Sequence, residues 1–207
     1  MSSWIRKILN GIGLTQAPPG EHPSELRQPS GTVLLCIDVS NSMAGKPLRQ
    51  AVKGGEKFLR DAVDAHYRCG LVLWNHKVDC YVPPRARHSR VLNTLRHAQS
   101  RGGTDLVPTL RLAKRLFGSV SGDRLLCVFG DGDIGNRRKA VRLARRLCAM
   151  GVRIDVRGRG ARAAANLECL LCPGEAVEAN RVIKDVSSID SGIASMTAGL
   201  GAIRRMQ

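Results

Sequence analysis

Aromatic residues are scarce in this 207-residue chain, at 3% of the composition, so aliphatic side chains must fill its core. No run of 18 or more apolar residues occurs, which excludes a membrane-spanning helix of ordinary length. Acidic residues are also few, 17 against 33 lysines and arginines, which leaves a formal charge of +16. Such a balance favours acidic or phosphate-bearing partners without naming one. Arginine outnumbers lysine 25 to 8, and alanine and glycine are plentiful, a composition that the codon bias of a GC-rich genome would also produce. A nucleotide-binding Gly-Lys-Ser/Thr loop is absent, because Ala44-Gly45-Lys46-Pro47 lacks both the preceding glycine and the hydroxyl. The seven cysteines are an odd number, and four lie in apolar, strand-like stretches. They read as reduced thiols in a cytoplasmic protein rather than as a disulfide framework. Cys169 and Cys172 have the spacing of half a zinc site, but no second pair or matching histidines accompany them, so helix packing is the expected role.

The length allows one domain with a substantial core. Residues 1–14 place Trp4, Ile5, Ile8, Leu9 and Ile12 at helical spacing, which predicts a short amphipathic segment. It would dock on a membrane surface or a partner protein, or cap the domain's own core. The apolar residues after Met1 are broken by Arg6, Lys7, Asn10 and Gly11, which argues against a secretory signal. Residues 15–31 carry Pro18, Pro19, Pro23 and Pro29 and read as a linker. The compact domain is expected over 32–207.

Within it, strand-like and helix-like patterns alternate. Strands are predicted at Val33–Asp38, Arg68–Trp74, Val78–Val82, Leu125–Phe129, Val152–Val156 and Arg181–Val186, with Asn75-His76-Lys77 as a hairpin turn. Helices are predicted at Pro47–Val63, Ser89–Ala98, Leu106–Phe117, Arg137–Met150, Ala163–Leu171 and Ser188–Leu200. The expected fold is α/β: a doubly wound, mostly parallel six-stranded sheet with one antiparallel edge strand and helices on both faces. In such sheets ligands bind at the carboxyl ends of the strands, where the strand order reverses.

Asp38, Ser40 and Ser42 close the first strand at alternate positions. One carboxylate and two neutral hydroxyls suit a hard divalent cation such as Mg2+, with Mn2+ or Ca2+ as alternatives. Asp and Ser also dominate ordinary turns and helix N-caps, so the triplet alone does not decide. Two further loops fall on the same predicted edge, Gly102-Gly103-Thr104-Asp105 before a helix and Gly130-Asp131-Gly132-Asp133 after a strand. Asp133 could reach a metal, but a capping role beside Asn136 is favoured, and Asp105 reads as a helix N-terminal charge.

Together, Asp38-x-Ser40-x-Ser42, Gly103-Thr104 and Asp131-Gly132 resemble the von Willebrand factor type A (VWA) domain, with order and spacing matching from about Thr32 to Leu200. The resemblance implies a metal-ion-dependent adhesion site in which Asp38, Ser40, Ser42, Thr104 and Asp131 take the metal positions. It implies a partner protein whose Asp or Glu completes the metal's shell, and no catalysis. It further implies an intracellular, bacterial protein working beside an AAA-type ATPase or in a multi-component stress or defence system. Gly130 departs from the pattern, since many relatives carry Thr or Ser there.

Two other readings compete. Gly130-Asp131-Gly132-Asp133 resembles the acidic motif of haloacid-dehalogenase-type phosphatases, but these need a second acid two residues after the nucleophile, and Ser40 stands there. The basic helix Asn136–Met150 and the cluster Arg85, Arg87, His88 and Arg90 suggest nucleic-acid binding, or a merely solvated face. Aromatic stacking residues for single strands are too few.

Overall fold

The computed structural model describes residues 29–174, 182–183 and 186–200. The amphipathic segment 1–14 and nearly all of the linker 15–31 therefore lie outside the described residues. Six strands form one sheet in the order β3-β2-β1-β4-β5-β6. They are β1 (Gly31–Asp38), β2 (Tyr67–Trp74), β3 (Val78–Val82), β4 (Asp123–Gly130), β5 (Arg153–Arg159) and β6 (Val182–Ile183). All neighbours are parallel except β2 and β3, whose pairing is antiparallel across the turn at Asn75-His76-Lys77.

β1 is central, and every residue in it is buried, as a strand covered on both faces requires. Its side chains divide by alternation. Val33, Leu35 and Ile37 join a core beneath helices α1 (Lys46–Asp64), α2 (His88–Arg96) and α6 (Ile189–Ala194). Leu34 and Cys36 join a second core beneath α3 (Val107–Phe117), α4 (Arg137–Ala149) and α5 (Ala161–Glu168). Aliphatic residues supply most of both cores, with Phe58, Trp74, Phe117 and Phe129 as the large fillers. The chain crosses from β1 to β2 on one side and reaches β4 on the other, so the strand order reverses between β1 and β4.

Four features depart from the pattern read in the sequence. β5 runs on to Arg159, past the expected end at Val156, because Arg157 is buried, pairs with Asp155 on the same strand face and donates to the Val156 carbonyl. A charged residue in a strand interior hides that strand from a hydrophobic pattern. Helix α5 starts at Ala161 and ends at Glu168, short of Leu171. The expected helix Ser188–Leu200 is divided into a 3-10 turn, α6 and a second 3-10 turn. There Ser195 and Thr197 donate their hydroxyls back to Gly192 and Ala194, a local bonding that competes with the α-helical ladder.

The fourth is a correction to the cysteines. Cys148 and Cys172 form a disulfide across 24 residues, and Cys169 is free. The last turn of α4 and the turn after α5 meet beside the start of β5, with Cα atoms 5.5 Å apart, inside the range a disulfide spans. Cys36, Cys69 and Cys127 are buried free thiols in strands, as read from the sequence.

Candidate functional site

The carboxyl ends of β1 and β4 meet at the reversal point of the sheet, and Asp38 is the last residue of β1. Its side chain is fully buried. Oδ1 accepts the Ser40 backbone N–H at 2.8 Å, which curls the chain into the 3-10 turn Asn41–Met43. That turn brings the Ser40 and Ser42 hydroxyls to 3.0 Å from each other. Buried Met43 anchors the turn in the core while Ser42 stays exposed. Three residues at alternate positions thus converge through a turn rather than through extended spacing.

Backbone hydrogen bonds lock the three loops together. The first is held by Val39 N–H to the Trp74 carbonyl at 2.7 Å, and it meets the second through Arg101 N–H to Val39 O at 2.7 Å and Asn41 N–H to Gly102 O at 3.0 Å. The second meets the third through Leu106 N–H to Ile134 O at 3.2 Å. Gly102 has φ +75°, and a Cβ there would lie 2.5 Å from the His76 ring, so only glycine lets this loop approach. Thr104 stands half-buried two residues on, and among the described residues no hydrogen bond ties its hydroxyl to the other four predicted ligands.

Asp131 follows β4 and sits close enough to Asp38 for their charges to interact. Burial pushes the Asp38 carboxyl up to about 6, with the Asp131 carboxylate adding to the rise and the Ser40 N–H, the Ser40 hydroxyl and the Asp131 N–H partly offsetting it. Asp38 Oδ2 is buried without a hydrogen-bond partner. Asp131 is 8% exposed at its side chain and lies 3.7 Å from the Arg159 guanidinium at the end of β5. Asp105 accepts the Val107 N–H at 2.9 Å and Asp133 the Gly135 N–H at 2.8 Å, while Asn136 caps α4 through Lys139 N–H. Asp133 therefore shapes its own turn, and the cap is Asn136 alone.

Two organising residues were not read from the sequence. Asn75, taken there as a turn residue, is fully buried and donates to the Arg101 carbonyl at 3.0 Å and to Asp79 at 3.3 Å. It also accepts the Lys77 N–H, and its carbonyl accepts Asp105 N–H at 2.8 Å, so it pins both ends of the second loop. Trp74 explains the departure at Gly130. A Cβ on Gly130 would lie 3.1 Å from the indole Cζ2 and 3.4 Å from Asp38 Oδ2, so the indole fills the space a Thr or Ser would occupy. A tryptophan read in one sequence alone gives no signal of that kind.

A family model for the von Willebrand factor type A domain matches residues 33–133, which include all five predicted metal positions. Residues 33–133 match the VWA family, and the described chain has its fold. Solved structures agree on the fold. The pilus adhesin SpaC of Lactobacillus rhamnosus GG superposes with a TM-score of 0.67 at 10% identity, over 83% of this chain and 30% of that one. A von Willebrand factor type A protein from Catenulispora acidiphila gives 0.63 at 17%, over 82% and 42%. The vWF domain of the type V pili tip protein Mfa5 from Porphyromonas gingivalis gives 0.62 at 12%, over 84% and 97%. The chain thus spans under half the length of the first two and nearly all of the third. No curated protein sequence matches it.

The residues fit a hard cation. Mg2+ is held by one or two carboxylates with further oxygen ligands and water, and the five predicted positions offer two carboxylates and three hydroxyls. The unpartnered buried Oδ2 of Asp38 is a polar atom that the protein itself leaves unsatisfied, a costly state that a cation would relieve. Among the described residues no group of three His, Cys, Asp or Glu side chains forms a metal cage, so any metal here relies on the hydroxyls.

Proposed function

We propose that this VWA domain is a Mg2+-dependent protein-interaction module. Asp38, Ser40, Ser42, Thr104 and Asp131 hold the ion, directly or through water, and an Asp or Glu of the partner completes its shell. The observation that carries this reading is the buried, unpartnered Asp38 Oδ2 beside a second carboxylate at the reversal point of the sheet. Mn2+ or Ca2+ would serve as alternative ions. The adhesins and pilus-tip proteins among its structural neighbours support an interaction role over turnover. Ser40 supports it too, since a phosphatase needs an acid at that position. An AAA-type ATPase or a stress or defence assembly is the proposed setting, and the cytoplasm the proposed compartment. Five free thiols favour that compartment, and the Cys148–Cys172 bond weighs against it.

The test is affinity capture from the native cell with the full chain as bait, in Mg2+ and in EDTA. The module should retain a protein in Mg2+ and release it in EDTA, and Asp131→Asn should fail in both. Identical capture in EDTA overturns the reading.

A further inference from the structure

The two faces of the sheet are charged differently. On one face α1 mixes signs and pairs them: Lys57 meets Asp61 at 3.0 Å, Arg60 meets Glu56 at 2.9 Å, and Arg96 of α2 reaches the same Glu56 at 2.9 Å. On the other face the neighbouring helices α3 and α4 contain no acidic residue. α3 contributes Arg111, Lys114 and Arg115, and α4 contributes Arg137, Arg138, Lys139, Arg142, Arg145 and Arg146. All six basic residues of α4 are exposed, and among the described residues none has a carboxylate within ion-pairing distance. Five of these arginines, with Val141 and Ala149, line an open groove of about 820 Å³ along the helix.

We propose that the α3–α4 face binds the phosphate backbone of double-stranded nucleic acid without reading its sequence. Thirteen helical residues give a strip roughly 20 Å long, and a duplex offers a phosphate charge about every 1.7 Å of its axis. Arginine grips phosphate through two parallel N–H donors, and α4 has five arginines to one lysine. Other polyanions fit less well. A membrane needs large apolar side chains to insert, yet Ala140, Leu143, Ala144, Leu147 and Cys148 of α4 pack on the core, the only apolar residues lining the groove are half-buried Val141 and the small Ala149, and Val63 of α1 is the one large hydrophobic side chain exposed among the described residues. Single strands need stacking rings, and Trp74 and Tyr67 are buried. An acidic protein interface needs a large apolar or aromatic anchor at its centre, and α3 and α4 expose no such side chain, Phe117 being buried and Val141 half-buried.

The surface acts independently of the metal site, so the experiment is run on the full chain in EDTA. Anisotropy of a fluorescein-labelled 20-base-pair DNA duplex reads binding between 50 and 200 mM NaCl. If five arginines each neutralise a phosphate, log K falls with log salt at a slope of about −4.5, roughly a 500-fold loss across that range. The triple variant R138E/R142E/R145E should bind at least about tenfold more weakly, and R138Q/R142Q/R145Q should reduce the slope by about 2.7. Both change only exposed side chains, so circular dichroism should match the parent. K53E/K57E on the paired α1 face should leave binding intact. Absence of binding at 50 mM salt, indifference to the α4 variants, or equal affinity for polyglutamate or phosphatidylserine vesicles overturns the proposal.

Discussion

Replacing Asp38 with Asn should make the metal-free protein more stable and the metal-treated protein less responsive. Asp38 is fully buried, and its carboxyl titrates at about 6 in the fold against 3.8 without it. A folded value above the unfolded one means that the proton favours the fold. Stability of the metal-free protein therefore falls as pH rises from about 4 to about 6 and stays low above. Two units at about 1.4 kcal/mol each put the penalty near 3 kcal/mol at pH 8. Asn keeps an acceptor for the Ser40 N–H but places an amide where Oδ2 lacks a partner, which returns part of the gain, roughly 1–2 kcal/mol. The net expectation in EDTA at pH 8 is a gain of about 1–2 kcal/mol, or a few degrees in Tm for a domain this size. Mg2+ at about 100 times its Kd should raise the wild type by about 2.7 kcal/mol and the variant by nothing. Thermal unfolding at pH 8, in EDTA and in Mg2+, reads both effects. A variant that is less stable in EDTA, or that gains as much from Mg2+ as the wild type, refutes the reasoning.

Two further outcomes follow from packing and chain connectivity. Gly130→Thr should cost about 1–3 kcal/mol in urea unfolding, because the new side chain meets the Trp74 indole and the Asp38 carboxyl, and Trp74→Leu in the same chain should recover part of it. No cost in the single variant would show that the indole does not fill that space. Reduction of Cys148–Cys172, or Cys148→Ser with Cys172→Ser, should lower stability by at most about 3.5 kcal/mol, the loop-closure value for its 24-residue separation. Equal stability with and without reductant would count against the bond.

The hydrophobic pattern revealed most of the frame, since β1, β2 and β4 are continuous buried apolar runs, α1 to α4 each bury one periodic face, and β1 to β4 and α1 to α4 differ from their predicted ends by two residues or fewer. It failed where polar chemistry sits inside an element. Arg157 interrupts the apolar run of β5, yet it is buried and paired with Asp155. Back-bonding hydroxyls at Ser195 and Thr197 cut the last helix into three pieces. At the site, Asp38, Ser40 and Ser42 were visible because they adjoin an apolar strand, and their contact needed only a local turn. Asn75, Trp74 and Arg159 were not, because their roles come from strands β2 and β5 lying beside β1 and β4, a placement no spacing encodes. The Cys148–Cys172 bond was hidden for the same reason.

The account rests on a divalent cation held between the first and fourth strands, and titration calorimetry of the full chain with Mg2+ tests this most directly. One ion should bind the wild type, while Asp131→Asn, which keeps the turn after β4 but removes the charge, should show no heat above dilution. Absence of binding by the folded wild type at millimolar Mg2+, or unaltered binding by the variant, would contradict it.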